Sequence, residues 1–352
     1  MSDRGLDARI GLSRGRLRLD VSLTAQRGEV LGILGPNGGG KTSTVLALAG
    51  VLPLAAGEVV VSGSTWEKAG TRRLPEQRRV GLMLADALLF PHLRALDNVA
   101  YGPRSRGVPA KPARVRARAE LHRVGLAEHA DARPAQLSSG QAARVALARA
   151  LATDPDLLLL DEPLSALDPE TRARTRTDLA RRLADYDGVT VLVTHDPLDA
   201  LTLADRLVFV EGGTVSQVGT PAEVLREPRT PYVATIVGLN LYAAQSDSRG
   251  SLTLAGGGLL VTADPTPGEV WATVSPHAVV LHHDRPEGSA RNAWPMRVSD
   301  VTLQGQSARV SLTGPLELIA EVTLASVAAL DIRAGRELWA SVKATEVFAY
   351  PR

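Results

Sequence analysis

Four short stretches carry residue types whose spacing suits chemistry on a phosphate chain. In "GPNGGGKT", Gly35 to Thr42, the order fits G-x-x-x-x-G-K-[ST]. Gly35, Gly38, Gly39 and Gly40 let backbone N–H groups curl around an anion without Cβ clashes, and Pro36 and Asn37 complete the loop. Lys41 has the charge and reach for β- and γ-phosphates, the Thr42 hydroxyl suits Mg2+, and Ser43 continues the first helical turn. In "DLLLLDEP", Asp156 to Pro163, a run of leucines leads to Asp161, which suits Mg2+ at the carboxyl end of a buried strand. The next residue, Glu162, is placed to polarise an attacking water. Histidine changes charge near neutral pH, and His195, in "VTHD" after the apolar run 189–194, suits a bridge between γ-phosphate and Glu162. In "LSSGQAARVALARALA", Ser138 and the amides near Gly140 and Gln141 open another helix and so offer a second anion site. One chain cannot easily aim both anion sites at one phosphate; two chains related by C2 symmetry can.

These groups need a scaffold of strands that end beside helices. Apolar runs at 30–34, 80–84, 157–160 and 189–194 alternate with helical stretches at 42–49, 113–124, 141–152 and 170–184. That alternation predicts an α/β domain over 1–238 with a mostly parallel sheet, the first strand feeding the glycine-rich loop. From 239 to 352 the character changes. Short β-rich segments such as "GSLTL", "EVWATV", "ARVSL" and "ELWASVKA" are set off by turns such as "AGGG", "PEGS" and "LTGP". They predict a small all-β, barrel-like region, and "GEVWATV" beside "GRELWASV" hints at a weak repeat between its halves.

Composition narrows the options. At 352 residues the chain has room for two domains, and 44% hydrophobic with 22% charged residues is a globular composition. A net charge of +2 gives no electrostatic case for nucleic acid. With no cysteine, disulfides, thiolate catalysis and cysteine metal sites are excluded. The opening "MSDRGLDARIGL" lacks the pattern of a signal peptide, and no apolar run is long enough to span a bilayer, so a membrane role must come through a partner.

Taken together and in order, the phosphate loop, "LSSGQ", the Asp161-Glu162 strand, the "SALD" loop ending in Asp168 and the His195 switch strongly resemble the ATP-binding-cassette ATPases over residues 10–236. The resemblance implies a P-loop ATPase that binds ATP and Mg2+ and works as a head-to-tail homodimer, each ATP closed by Ser138, Gly140 and Gln141 of the other copy, with Asp168 beside it. "LLFPHLRALDNVAYG", "HDPLDALTLADRLVFVEGG" and "QVGTPAEVLREPRTPYVA" resemble the ATPase subunits of bacterial importers. That implies integral permease partners, an extracytoplasmic solute-binding protein and a peripheral place on the cytoplasmic face of the membrane.

"GSARNAW", "VTLASVAAL" and "LWASVKATEVFAY" resemble the molybdate-binding (Mop/TOBE-like) β region of molybdate importer ATPases, best over 286–350. The residues fit an oxyanion. Ser289, Arg291 and Asn292 offer a hydroxyl, a guanidinium and an amide close together, and Lys343 adds a charge from a neighbouring strand. On residue types alone "GSARN" also reads as a polar turn with a solvated arginine. The resemblance favours molybdate or tungstate. Sulfate, Fe3+, sugar or polyamine import, or a regulatory oxyanion-binding protein with weakened ATPase, are the alternatives.

Three positions depart from the family pattern. Ala85 stands where the family has a glutamine that ligates Mg2+ and water. Ser139 replaces a glycine in the signature. No aromatic residue precedes Trp66 to stack on adenine, which leaves Arg14 or Arg16 for that contact. ATP binding and slow hydrolysis are the expectation.

Overall fold

The computed structural model describes residues 4–15, 17–288 and 290–352. Two of the candidate residues, Arg16 and Ser289, lie outside the described residues. The chain folds as two compact units that divide between Val224 and Leu225, so the boundary expected at 238/239 falls inside the second unit.

The first unit is built on one sheet. Its strands are β1 (Arg4–Arg14), β2 (Leu17–Gln26), β3 (Val30–Leu34), β4 (Ala56–Val61), β5 (Ser64–Lys68), β6 (Thr71–Arg72), β7 (Val80–Met83), β8 (Leu157–Asp161), β9 (Val189–Val193), β10 (Arg206–Glu211) and β11 (Thr214–Gly219). They lie in the order β6-β5-β4-β1-β2-β11-β10-β3-β9-β8-β7. From β10 to β7 every neighbour is parallel. Every residue of β3, β8 and β9 is buried, which is why these strands read as unbroken Val/Ile/Leu runs. The other half, β1 with β2, β4, β5 and β6, is an antiparallel wing, so the sheet is mixed rather than mostly parallel. Its signal is strict alternation: Leu19, Val21, Leu23 and Ala25 of β2 face the core while their neighbours face solvent.

Helices follow from the same logic. In chain order they are α1 (Lys41–Leu48), α2 (Ala95–Ser105), α3 (Ala110–Arg123), α4 (Ser139–Leu151), α5 (Pro169–Ala184), α6 (Pro197–Leu203) and α7 (Pro221–Arg226). Val45 and Leu48 of α1 join Leu31, Ile33, Leu159 and Val191 in the main core. Packing of α2, α3 and α4 forms a core of its own around Val99, Leu121, Leu126 and Val145. Among the described residues no helix is long and apolar enough to cross a membrane.

The far end of α1 is held by a buried cation. Arg78 donates to the carbonyls of Ala47 (3.2 Å) and Leu48 (2.9 Å), and to that of Arg73 (3.0 Å), and forms a charge-assisted bond with buried Glu67. Its guanidinium also lies 5.8 Å from the centre of the Trp66 ring, so Trp66 is a core residue. Gly50 makes room for it: a Cβ there would lie 2.5 Å from the Arg78 Nε, and the residue takes φ +81° as the chain leaves α1.

Among its described residues the second unit holds α8 (Pro231–Val237), ten strands and α9 (Leu324–Ala329). The strands are β12 (Asn240–Ser246), β13 (Ser251–Leu254), β14 (Leu259–Val261), β15 (Gly268–Val274), β16 (Val280–His282), β17 (Asn292–Gln304), β18 (Ser307–Thr313), β19 (Leu318–Thr323), β20 (Glu337–Val342) and β21 (Val347–Pro351). They form two antiparallel five-stranded sheets, β14-β13-β12-β15-β21 and β16-β20-β17-β18-β19, around a common core that includes Trp294, Met296, Leu312 and Leu338. The orders are those of two like halves that exchange their last strand. The weak sequence repeat is therefore a structural one.

Because Glu67 is the counter-charge of a fully buried arginine, Glu67→Gln is expected to destabilise the first unit by about 3–5 kcal/mol. Urea unfolding, compared with wild type by circular dichroism, checks this; an unchanged midpoint would mean the pair is not needed.

Candidate active site

The glycine-rich loop links β3 to α1 and borders a cavity of about 310 Å3. Asn37, Gly38, Gly39, Gly40, Lys41, Thr42 and Ser43 line it, together with Leu17, Ala85, Asp161 and Glu162. Gly38 and Gly40 take φ of +77° and +108°, and a Cβ on Gly40 would lie 2.5 Å from Leu19 Cδ1. Helix α1 has no capping side chain and no acidic residue in its first turn, so its free N–H groups are left for an anion. The buried Lys41 ammonium donates to the carbonyls of Gly35 (2.7 Å) and Pro36 (3.0 Å). Burial lowers its pKa, while Glu162 and Asp161 nearby pull it back up. A phosphate would do the same more strongly.

Three neighbouring strands, β9, β8 and β7, deliver the rest of the chemistry from their carboxyl ends. Asp161 ends β8 opposite Val193 of β9. Burial raises its pKa, and the Thr42 hydroxyl, which donates to it, and Lys41 oppose that shift. Thr42 and Asp161 thus stand together as hard oxygen donors of the kind Mg2+ prefers, and fit that ion with water and phosphate oxygens completing its shell. The next residue, Glu162, adopts φ +54°, a left-handed conformation costly for a residue with a Cβ. Its N–H bonds Val193 O at 2.9 Å, and the turn is closed by the Ser165 hydroxyl on the Glu162 carbonyl at 2.9 Å. This kink brings Glu162 Oε2 to 2.6 Å from His195 Nδ1, just beyond the end of β9. Ala85 follows β7 and lines the cavity with a methyl group only.

The loop that carries Ala85 is fixed by residues no motif marks. Arg149 of α4 donates to the carbonyls of Leu88 (2.9 Å) and Ala87 (3.1 Å) and lies 5.4 Å from the centre of the Phe90 ring. Buried Asn98 accepts from Phe90 N–H (2.8 Å) and donates to the carbonyls of Phe90, Leu93 and Arg94. Leu17, where the β1–β2 hairpin returns, is another cavity residue that motif reading misses. Arg14 is exposed at the end of β1 and does not line the cavity.

Ser138, Gly140, Gln141 and Asp168 do not line this cavity. Ser138 caps α4: its hydroxyl accepts from Gln141 N–H (3.2 Å) while Gln141 Oε1 accepts from Ser138 N–H (2.9 Å). Asp168 caps α5, accepting from Thr171 N–H at 3.0 Å, and that bond holds its carboxyl below the usual range. Ser139 opens α4 with its side chain exposed. Each helix start is thus built and turned to solvent.

In the second unit Asn292 is opposite Val342, so Arg291 and Lys343 follow side by side at the end of the β17–β20 ladder. Both are exposed, and neither has an ion-pair partner among the described residues. Asn292 corrects the expectation. It is buried, and its amide is spent on β14, accepting from Val261 N–H (2.7 Å) and donating to Val261 O (2.9 Å). Asn240 grips Ile319 of β19 in the same way, as the exchanged repeat requires. Leu239 and Ser275 occupy the places of Arg291 and Lys343 in the first half, so only the second half carries the basic pair.

Fold and site define a P-loop ATPase. The chain matches the ABC transporter family over residues 19–165 and the TOBE domain over residues 288–349. It is 41% identical to the molybdenum import ATP-binding protein ModC of Mycobacterium tuberculosis, over 95% of this chain and 94% of that one. It is 37% identical to the sulfate/thiosulfate import ATP-binding protein CysA of Bordetella parapertussis, over 98% of each. The dimeric ATP-binding cassette MJ0796, solved in a post-hydrolysis state with ADP and Pi, superposes with a TM-score of 0.55 at 28% identity, over 61% of this chain and 98% of that one. The chain belongs to the ATPase subunits of ABC importers, enzymes that bind and hydrolyse ATP, here with a C-terminal TOBE region.

Glu162→Gln keeps the shape of the kinked strand end but removes the carboxylate. It is expected to retain ATP binding and to lower turnover on the order of 100-fold or more. Steady-state phosphate release beside calorimetric ATP binding measures both, and unchanged turnover would remove Glu162 from the chemistry.

Proposed function

We propose that this ATPase drives uptake of molybdate or tungstate. It acts as a homodimer on the cytoplasmic face of the membrane, bound to integral permease subunits that take the anion from an extracytoplasmic solute-binding protein. The observation that carries the choice of cargo is the pair of adjacent cations Arg291 and Lys343, without an ion-pair partner among the described residues, at one end of the β17–β20 ladder. Two adjacent cations so placed suit a dianion. The similarity to a molybdenum import protein along nearly the whole chain points the same way.

The chemistry follows from the cavity. Backbone N–H groups of 38–43 and Lys41 hold the β- and γ-phosphates, Lys41 exchanging the Gly35 and Pro36 carbonyls for phosphate oxygens. Thr42 and Asp161 would hold Mg2+, which when bound would supply charge that offsets the phosphates. Glu162 takes a proton from the attacking water, and His195, already bonded to Glu162, orients it toward the γ-phosphate. The start of α4, with Ser138, Gly140 and Gln141, and Asp168 at the start of α5 complete the site of a second copy. That none of these residues lines the chain's own cavity supports that reading. Ala85 leaves water to do what a glutamine would, and Ser139 adds a side chain at the second anion site, so basal hydrolysis is slow. The double variant Ala85→Gln/Ser139→Gly is expected to hydrolyse ATP several-fold faster than wild type, and equal rates would refute the impairment.

For cargo, the full-length chain is titrated with molybdate, tungstate and sulfate. Molybdate and tungstate, near-isosteric dianions, are expected to bind alike and more tightly than the smaller sulfate. Arg291→Ala or Lys343→Ala should weaken them about tenfold or more. Tighter binding of sulfate would favour a sulfate importer, a reading the likeness to CysA supports, and no binding of any would leave the basic pair without an oxyanion role.

A further inference from the structure

A second cavity of about 490 Å3 lies in the first unit, away from the phosphate loop. One wall is a single face of α5, where Thr171, Arg174, Asp178, Arg181 and Asp185 recur at helical spacing. The opposite wall is the face of α4 that presents Arg144, Leu147 and Leu151, closed at one end by Arg123 and Val124 where α3 ends. Its size is that of a small-molecule site rather than of a packing defect.

The charges are unbalanced. Five arginines (123, 144, 174, 181 and 182) face three carboxylates. Buried Glu120 is already taken by Arg123 at 2.5 Å and Arg182 at 3.1 Å, and Asp178 by Arg181 at 3.6 Å. Arg174 has no ion-pair partner among the described residues, and Arg144 donates only to the Val124 carbonyl at 3.0 Å. The Nε atoms of Arg144 and Arg182 are buried without an acceptor. Unanswered guanidinium donors favour an incoming acceptor, and their planar fork suits carboxylate or phosphate. Between the walls, half-buried Val124 and the aliphatic stems of the arginines form the apolar lining, with Leu147, Leu151 and Leu179 buried behind them, so a bare inorganic ion would use only part of the cavity.

We propose that this groove between α4 and α5 binds a small amphipathic organic anion: an apolar or aromatic body carrying one carboxylate, phosphate or sulfonate group, the acid seated on Arg174 and Arg144 and the body against Val124 and the arginine stems. Neither arginine belongs to the ATP cavity, and the groove is distinct from the Arg291–Lys343 pair. Helices α4 and α5 begin at Ser138 and Asp168, so an occupant of the groove bridges the two helices that carry those residues.

The test uses the full chain with its phosphate loop saturated by Mg·ADP. The fluorescent probe 1-anilinonaphthalene-8-sulfonate is titrated in, then displaced by phenyl phosphate, by benzoate or by inorganic phosphate. A saturable component is expected that phenyl phosphate and benzoate displace and inorganic phosphate displaces poorly. Arg174→Glu should weaken that component about tenfold or more. Arg174→Lys, which keeps the charge but loses the fork, should fall between, and Arg118→Glu on the exposed side of α3 should match wild type. Basal ATP hydrolysis by Arg174→Glu is expected to equal that of wild type, which shows the variant is folded. No saturable component, one indifferent to Arg174→Glu, or one displaced equally by inorganic phosphate would overturn the proposal.

Discussion

One short helix must present bare N–H groups to a polyanion at one end without coming loose at the other, and much of the first unit serves that constraint. At the near end of α1 no side chain caps the helix, because a capping side chain would occupy the phosphate's place. At the far end the carbonyls of Leu48 and of Ala47, which also accepts from Gly50 N–H, are taken by Arg78, a cation where the helix dipole is negative. Arg78 is in turn fixed by Glu67 and stacked near Trp66, so the antiparallel wing reaches the phosphate site through the helix it anchors. Lys41 shows the same economy. Its buried charge is answered by two loop carbonyls, and the local carboxylates keep it from shedding its proton as readily as burial alone would dictate.

The parallel half of the sheet converts chain order into chemical proximity. Strands β3, β9, β8 and β7 are neighbours, and from their carboxyl ends come, in turn, the phosphate loop, His195, the Asp161-Glu162 pair and Ala85. The segments are far apart in sequence yet share one edge. Fine placement then needs a local device. The left-handed backbone at Glu162 turns its carboxylate out of the strand to meet His195, and the bond from its N–H to Val193 holds that conformation.

Much of this was legible in the sequence because the chemistry fixes residue types. Glycines, Lys41, Thr42, Asp161 and Glu162 are hard to substitute at such a site, so their order alone located it, and uninterrupted apolar runs located the strands that carry them. The antiparallel wing was not recognised, since a short half-buried hairpin announces itself only by alternation. Arg78, Asn98 and Arg149 escaped for another reason. An arginine or asparagine that satisfies backbone carbonyls leaves no fixed spacing behind, because its partners are peptide groups that any residue supplies. Asn292 misled by the converse route: its amide fits an oxyanion by type, but burial beside β14 commits both ends to Val261.

That asparagine also explains why the second unit behaves as one body. Each half of the repeat lends its last strand to the other half's sheet, and each grips the third strand of the other through Asn240 or Asn292. Neither half can complete its sheet alone, so the two fold together. Within this near-symmetric frame the equivalents of Arg291 and Lys343 are Leu239 and Ser275. The backbone repeats almost symmetrically, and the departure from symmetry in four side chains puts a basic pair at one end of the unit and an uncharged pair at the other.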